Sequence, residues 1–367
     1  MKRSCTISSK VLSAYGLDEA SEFRPLTSGH INCTYLVRSG KKQYILQRIN
    51  RFVFPSPLDI MENILGITEF LKKKIILQGG DPERETLSVM QASDGKYYLL
   101  DEEGEYWRCV NFVEGASAHE TADRPELLFE AGRAFGNFQR MLSDYPAENL
   151  HEILPGFHNT PKRFQQLTAA VEMASAERLS RAFFELQFAQ QRKERCGLLM
   201  GLLERGALPL RVTHNDTKLS NVLLDNNSGH AVCVIDLDTV MPGLAAFDFG
   251  DSIRAGASAA AEDETDLSKI RFEFSRFEAY AEGFLSAVGN SLTEKELETL
   301  PDGAWTMTYE TGLRFLTDYL NGDVYFQTKY PEHNLDRARN QLKLTADLEE
   351  HMPEMRSVIS QLAKEYC

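Results

Sequence analysis

From about residue 20 to residue 113 the apolar positions fall in short runs broken by turn chemistry: INCTYLVR, SGKK and QYILQRI, then ETLSVMQA, SDG, KYYLLD, EEGE and YWRCVNFV. Alternating β-formers separated by Gly with Ser or Asp predict an antiparallel meander. One helix interrupts it. Over 56–75, Ser56 takes the N-cap and Pro57 the first helical position, Asp59 sits in the first turn, and Met61, Ile64, Leu65 and Leu71 line one face.

Past EGASAHE the apolar spacing becomes helical, predicting helices over 124–142, 161–175, about 177–205, about 264–286, about 303–320 and 335–365. Strand-like pieces survive at 210–213, 221–225 and 231–236. The pattern predicts an α+β, bilobal architecture: a small antiparallel β-rich N-terminal lobe over 1–113 and a larger helical C-terminal lobe over 114–367, joined near Glu114-Gly115.

Composition narrows the function classes. At 367 residues, 43% hydrophobic and 26% charged, the chain reads as a soluble globular protein, and no stretch is apolar enough to cross a bilayer. The opening segment MKRSCTISSKVLSAYGL is interrupted by Ser and Lys, so no signal-peptide core forms and a cytoplasmic location is expected. Six cysteines (Cys5, Cys33, Cys109, Cys196, Cys233, Cys367) show no CxxC pair, which predicts reduced thiols rather than a zinc site or a disulfide framework. A net charge of −14 repels nucleic acid while leaving room for a local basic cleft that holds a small phosphate compound.

The candidate chemistry lies in RVTHNDTKLSNVLLD (211–225), where a polar octet sits between two apolar runs, and in AVCVIDLD, a strand-like piece ending in Asp236 and Asp238. Phosphoryl transfer needs a carboxylate to orient the attacking hydroxyl and accept its proton, an amide oxygen and a second carboxylate for a hard cation, and a cation to offset phosphate charge. Asp216, Asn221, Asp236 and Lys218 supply that set, with Mg²⁺ as the matching ion. Asp238 is either a second metal contact or a loop brace, and His214 is expected to brace the loop through hydrogen bonds.

His214-Asn215-Asp216-Thr217-Lys218-Leu219-Ser220-Asn221 resembles the kinase catalytic loop H-x-D-x-K-x-x-N, and the Asp236 strand with AAFDFGDSIR downstream resembles the aminoglycoside phosphotransferase-like family, of protein-kinase-like fold. The strings HNDTK…N, VIDLDTVMPGLAAFDFGDSIR and GLRFLTDYLNGDVYF, with TSGHINCTYLV and YILQRIN, resemble the N-acetylhexosamine 1-kinases over most of the chain. The resemblance implies an ATP- and Mg²⁺-dependent enzyme that phosphorylates the C1 hydroxyl of N-acetylglucosamine or N-acetylgalactosamine.

It also implies residue roles. LTSGHINCTYLV, with the single glycine Gly29, stands where a phosphate-cradling loop is needed; YILQRIN alternates Leu46 and Arg48 with Ile45 and Gln47, placing Arg48 at the ATP-cation position with Gln47 as the fallback. Its acidic partner would be Glu62, or else Glu69. CVNFVEG resembles the hinge strand, whose backbone at Val113, Glu114 and Gly115 meets adenine. The segment 309–330 presents Arg314, Asp318, Asp323 and Tyr325, and likeness to the hexosamine kinases makes Arg314, Tyr325 and His30 sugar contacts, with Asp216 taking the anomeric proton. Choline, homoserine, a methylthio sugar or an aminoglycoside are alternative acceptors, and an inactive nucleotide-binding scaffold is the rival from another class.

Overall fold

The computed structural model describes residues 7–17, 20–26 and 31–367. Helix α1 (Ser9–Ala14) precedes strands β1 (Ala20–Leu26), β2 (Cys33–Ser39) and β3 (Lys42–Arg48); then come α2 (Pro57–Leu77), α3 (Pro82–Glu85), β4 (Leu99–Leu100), β5 (Tyr106–Asn111) and β6 (Ala116–Ala118). Helices α4 (Pro125–Met141), α5 (Thr160–Met173), α6 (Ala176–Arg181), α7 (Phe183–Gln191) and α8 (Leu198–Glu204) lead into β7 (Arg211–Thr213), β8 (Val222–Asp225), β9 (Ala231–Val234) and β10 (Met241–Gly243). The chain closes with α9 (Ala245–Gly256), α10 (Phe274–Val288), α11 (Glu294–Leu320) and α12 (His333–Tyr366).

Two compact units result: 1–117 with 148–154 and 223–241, and 118–147 with 155–222 and 242–367. In the first, five antiparallel strands run in the order β1-β2-β3-β5-β4. The SGKK signal becomes a two-residue turn, Ser39 pairing with Lys42 and Gly40 taking φ 59°, a conformation a side chain resists. Tyr35, Val37, Leu46, Trp107 and Cys109 bury one face of the sheet against α1. Cross-strand register puts Arg24 with Leu36, Arg38 with Gln43, and Thr34 with Gln47 and Arg108 on the other.

ETLSVMQA forms no strand; Val89 makes one isolated bridge to Val110, and the ladder is shared with side chains, Ser88 N donating to Asn111 Oδ1. KYYLLD contributes only Leu99 and Leu100. The first unit reclaims 223–241 because the β8–β9 hairpin pairs with β6 and buries Leu223, Val232, Cys233 and Ile235 with Val113 and Ala116, while Asn226 N donates to Gly115 O at 2.8 Å. A single cut at 113/114 therefore does not follow the packing.

The expectation of six reduced thiols is corrected at Cys33, which is disulfide-bonded with its partner outside the described residues; Cys109, Cys196, Cys233 and Cys367 are free. Distance along the chain does not forbid a disulfide, since only the approach of the two Cα atoms matters.

In the second unit α11 is nearly all buried, from Thr299 to Leu313, and packs against α9 and α12. Its start is sealed by a capping box, Thr293 Oγ1 accepting from Glu296 N while Glu296 Oε2 accepts from Thr293 N. Periodicity placed this start near 303, nine residues late, and missed α9 entirely: Ala245–Ile253 is buried all round, so no polar face alternates with an apolar one. The predicted helix over 177–205 is broken into α6, α7 and α8. At the α9–α11 crossing a Cβ on Gly250 would overlap the Gly303 carbonyl, and one on Gly303 would overlap the carbonyl of Ala246. Among the described residues no helix is long and apolar enough to cross a membrane.

Candidate active site

Strand β7 delivers the chain to His214, and the backbone N–H groups of His214, Asn215 and Thr217 are held by α9. Asp248, fully buried, accepts from His214 N (2.9 Å) and Asn215 N (2.8 Å), and from Gln139 Nε2 of α4 (2.7 Å). One turn on, Asp251 Oδ2 accepts from Thr217 N (3.0 Å); Thr217 Oγ1 donates to Asp248 O, and Ser252 Oγ to Thr217 O (both 2.6 Å). The i, i+3 spacing puts both acids on the same side of the helix. Asn215 adopts φ 63°, a left-handed conformation its short amide tolerates, and Gly243 lets β10 press on Thr213.

Two environments separate these acids. Burial pushes the Asp248 carboxyl above its ordinary range. Burial also acts upward on Asp251, but Arg254 at 3.0 Å and nearby His158 outweigh it and the net shift is downward. Arg254, in contact with Asp251 and Glu262, is held firmly charged despite its own burial.

The braced loop presents Asp216. Its Oδ2 receives Lys218 Nζ (3.0 Å) and Asn221 Nδ2 (3.0 Å), and Asn221 Nδ2 also donates to Asp216 O (2.8 Å). Oδ1 makes no hydrogen bond to a described residue, and about a third of the side chain is exposed (32%). Asp216, Lys218 and Asn221 thus converge. With its nitrogen turned to Asp216, Asn221 keeps its amide oxygen for another partner. His214 is buried edge-on to Phe135 and Phe138, its Nδ1 accepting from Asp216 N at 3.3 Å.

A second cluster in the same unit lies by His158, close enough to lower the Asp251 carboxyl. His158 Nδ1 and Thr160 Oγ1 bond the buried Glu310 at 2.9 and 2.7 Å, and His158 Nε2, buried, has no hydrogen-bond partner among the described residues. One turn along α11, the Arg314 guanidinium lies over the rings of Phe157 (5.1 Å) and Phe326 (5.5 Å) and makes no hydrogen bond to a described residue. Burial and the neighbouring Arg314 charge lower the Arg163 guanidinium. Tyr325, 58% exposed, meets Phe326 edge-on at 4.8 Å. Asp318 builds this segment by accepting from Val324 N, Tyr325 N and Phe326 N, and Asp323 pairs with Arg178 and Asn334, so both acids shape the turn.

In the first unit Asp236 follows β9 in the left-handed region (φ 62°, ψ 55°). Asp238 is buried, ion-paired with Arg108 of β5, and accepts from Asn32 Nδ2 at 2.6 Å. Among the described residues no group of three or more His, Cys, Asp or Glu gathers at metal-binding range. Arg48 falls on the α1-covered face, near Tyr35 and with a guanidinium N–H on Cys33 Sγ (3.4 Å), whereas Gln47 and Arg108 share the opposite face. Glu62 bonds His151 (2.7 Å) and Glu69 bonds Lys72 (3.0 Å). Phe112, Glu114 and Gly115 line a cavity with Arg38, Gly40, Lys41 and Gln43; Val113 is turned into the core. Gly29 and His30 lie outside the described residues.

Sequence reasoning missed Gln139, Arg254, His158, Glu310 and Arg108. Gln139, His158, Glu310 and Arg108 act through tertiary contact and carry no motif, whereas Arg254, like Asp248 and Asp251, stood in a quoted string and pairs with Asp251 one turn away on α9.

The profile of the family described as phosphotransferase enzyme family matches residues 22–283. Among solved structures, a microcompartment-associated aminopropanol kinase is 19% identical, covering 94% of this chain and 97% of its own, with a TM-score of 0.61. An aminoglycoside phosphotransferase from Alicyclobacillus acidocaldarius is 14% identical over 99% and 98% (TM-score 0.60). A choline kinase from Cryptosporidium parvum is 12% identical over 93% of each chain (TM-score 0.56). At these identities the likeness is one of fold, the α+β kinase-like arrangement of a five-stranded sheet followed by helices.

Proposed function

Since the chain belongs to the phosphotransferase enzyme family, we propose that this ATP-dependent small-molecule phosphotransferase acts on the C1 hydroxyl of an N-acetylhexosamine. The observation that carries the reading is the asymmetric hold on Asp216. Oδ2 is fixed by Lys218 and Asn221 while Oδ1 is left to meet a hydroxyl. The acceptor oxygen gives its proton to Oδ1 and forms the new O–P bond; the bond from the γ-phosphorus to the bridging oxygen breaks, and ADP leaves.

Asn221 Oδ1 and the Asp236 carboxylate are hard oxygen donors of the kind Mg²⁺ takes beside substrate phosphates, which fits the family's metal. When bound, Mg²⁺ offsets charge on the phosphate oxygens. The cavity beside Phe112, Glu114 and Gly115 suits a purine, with the sheet's Gln47 and Arg108 face toward the phosphate end.

Two features support a sugar over an amine. Arg314, stacked between aromatic rings with its N–H groups open, suits the hydroxyl and amide oxygens of an N-acetylhexosamine, and two guanidiniums in one cluster repel choline or an aminoglycoside. The sequence strings quoted above point the same way. A kinetic panel of N-acetylglucosamine, N-acetylgalactosamine, choline and kanamycin with MgATP should give a kcat/KM for one of the sugars at least 100-fold above either cation; the reverse order rejects the sugar. Asp216→Asn should cut turnover by about 10³ with ATP binding near normal; retained turnover rejects the base assignment.

A further inference from the structure

Three segments of the nucleotide-side unit meet at one buried ion pair. Arg108, 3% exposed on β5, donates from Nε to Gln47 Oε1 (2.9 Å) and ion-pairs through Nη1 with Asp238 Oδ1. The other Asp238 oxygen, Oδ2, accepts from Asn32 Nδ2 at 2.6 Å. Asn32 Oδ1 in turn accepts from Asn50 N (2.9 Å), and Asn50 Nδ2 donates to Ile31 O (3.1 Å), clipping the end of the β1–β2 connection to the exit of β3. Two residues beyond Asp238, Val240 O accepts from Asn63 Nδ2 of α2 at 2.9 Å.

Asp236 thus stands two residues before an anchored segment, in the left-handed backbone region that most side chains resist. A buried pair is weak evidence for stability, because well-packed apolar residues would do as well, so its placement needs another reason. Its reach supplies one: the pair joins the Gln47 face of the sheet, the last residues of the β1–β2 connection and the acid-bearing turn.

We propose that Arg108, Asp238 and Asn32 form a positioning relay that couples seating of the nucleotide phosphates to divalent-cation binding at Asp236. This rests on the phosphotransferase reading of Asp236. Arg108 and Asp238 are positioning residues; neither need touch the ion.

The test is calorimetric titration of the full chain with ATP in EDTA and with ATP in excess Mg²⁺. Wild type should bind MgATP more tightly than metal-free ATP. In Asp238→Asn that tightening should fall at least tenfold while metal-free ATP binds within threefold of wild type, and Arg108→Lys should move the same way. The double variant Arg108→Met, Asp238→Leu, which keeps the volume and removes both charges, separates coupling from folding: its unfolding midpoint should stay near wild type while the tightening is lost. A folded double variant with wild-type tightening overturns the relay and leaves phosphotransfer standing. Wild type that binds ATP equally with and without Mg²⁺ overturns the metal role of Asp236, and the relay with it.

Discussion

Replacing Asp248 by asparagine removes a buried charge from the brace behind the Asp216 loop, and the structure says how much that should matter. The carboxylate takes three donors on two oxygens: His214 N and Gln139 Nε2 on Oδ2, Asn215 N on Oδ1. An amide offers one oxygen. Its NH₂ must then face at least one of the backbone N–H groups, leaving it buried and unpaired at about 1–3 kcal/mol, and the bonds that remain lose their charge assistance. Against this stands relief of a buried charge, already visible in the raised Asp248 carboxyl. The balance is a loss of about 3 kcal/mol, or roughly 4 °C in Tm for a chain of 367 residues.

Turnover should fall further than stability alone explains, because the freed amides belong to the two residues before Asp216 and a 1 Å displacement costs about 10²-fold. Urea unfolding followed by far-ultraviolet circular dichroism, with initial rates of ADP release at saturating MgATP and acceptor, reads both quantities. A variant within about 0.5 kcal/mol of wild type that turns over within twofold would refute the claim that α9 sets the loop.

Glu310 predicts a pH effect. Burial acts to raise its carboxyl, but His158, Thr160 and Arg314 together bring it below the ordinary range, so its contribution is complete above about pH 4.3 and lost as pH falls through the folded value. The Tm advantage of wild type over Glu310→Gln should be flat from pH 7 to 5 and shrink below about pH 4; a gap that widens on acidification reverses the sign. Gly250→Ala should destabilise by about 1–3 kcal/mol or more, since its Cβ would strike the backbone of α11, and chemical denaturation showing no loss would mean the helices separate freely.

What could be read from the chain divides along physical lines. Asp216, Lys218 and Asn221 are legible because a tight loop brings neighbours in sequence together in space, and the β2–β3 hairpin because Gly40 marks a turn few other residues can make. Arg48 shows the limit: alternation says which residues share a face, and only register against β5 says which face lies against α1. Helix α9 was silent for the opposite reason, an interior segment having no polar side to reveal its period. Asp238 and Glu310 drew partners from strands and loops far along the chain, which no local pattern encodes.

Where α9 and α11 cross at Gly250 and Gly303, backbone lies directly on backbone with no side chain to act as a cushion. The helix that pins the Asp216 loop and the helix that carries Glu310 and Arg314 are therefore set at a spacing that mutation can only enlarge. Room near the Arg314 cluster can be changed by trimming side chains along α11 or redrawing the 321–326 turn, but not by moving the two helices without losing the crossing itself.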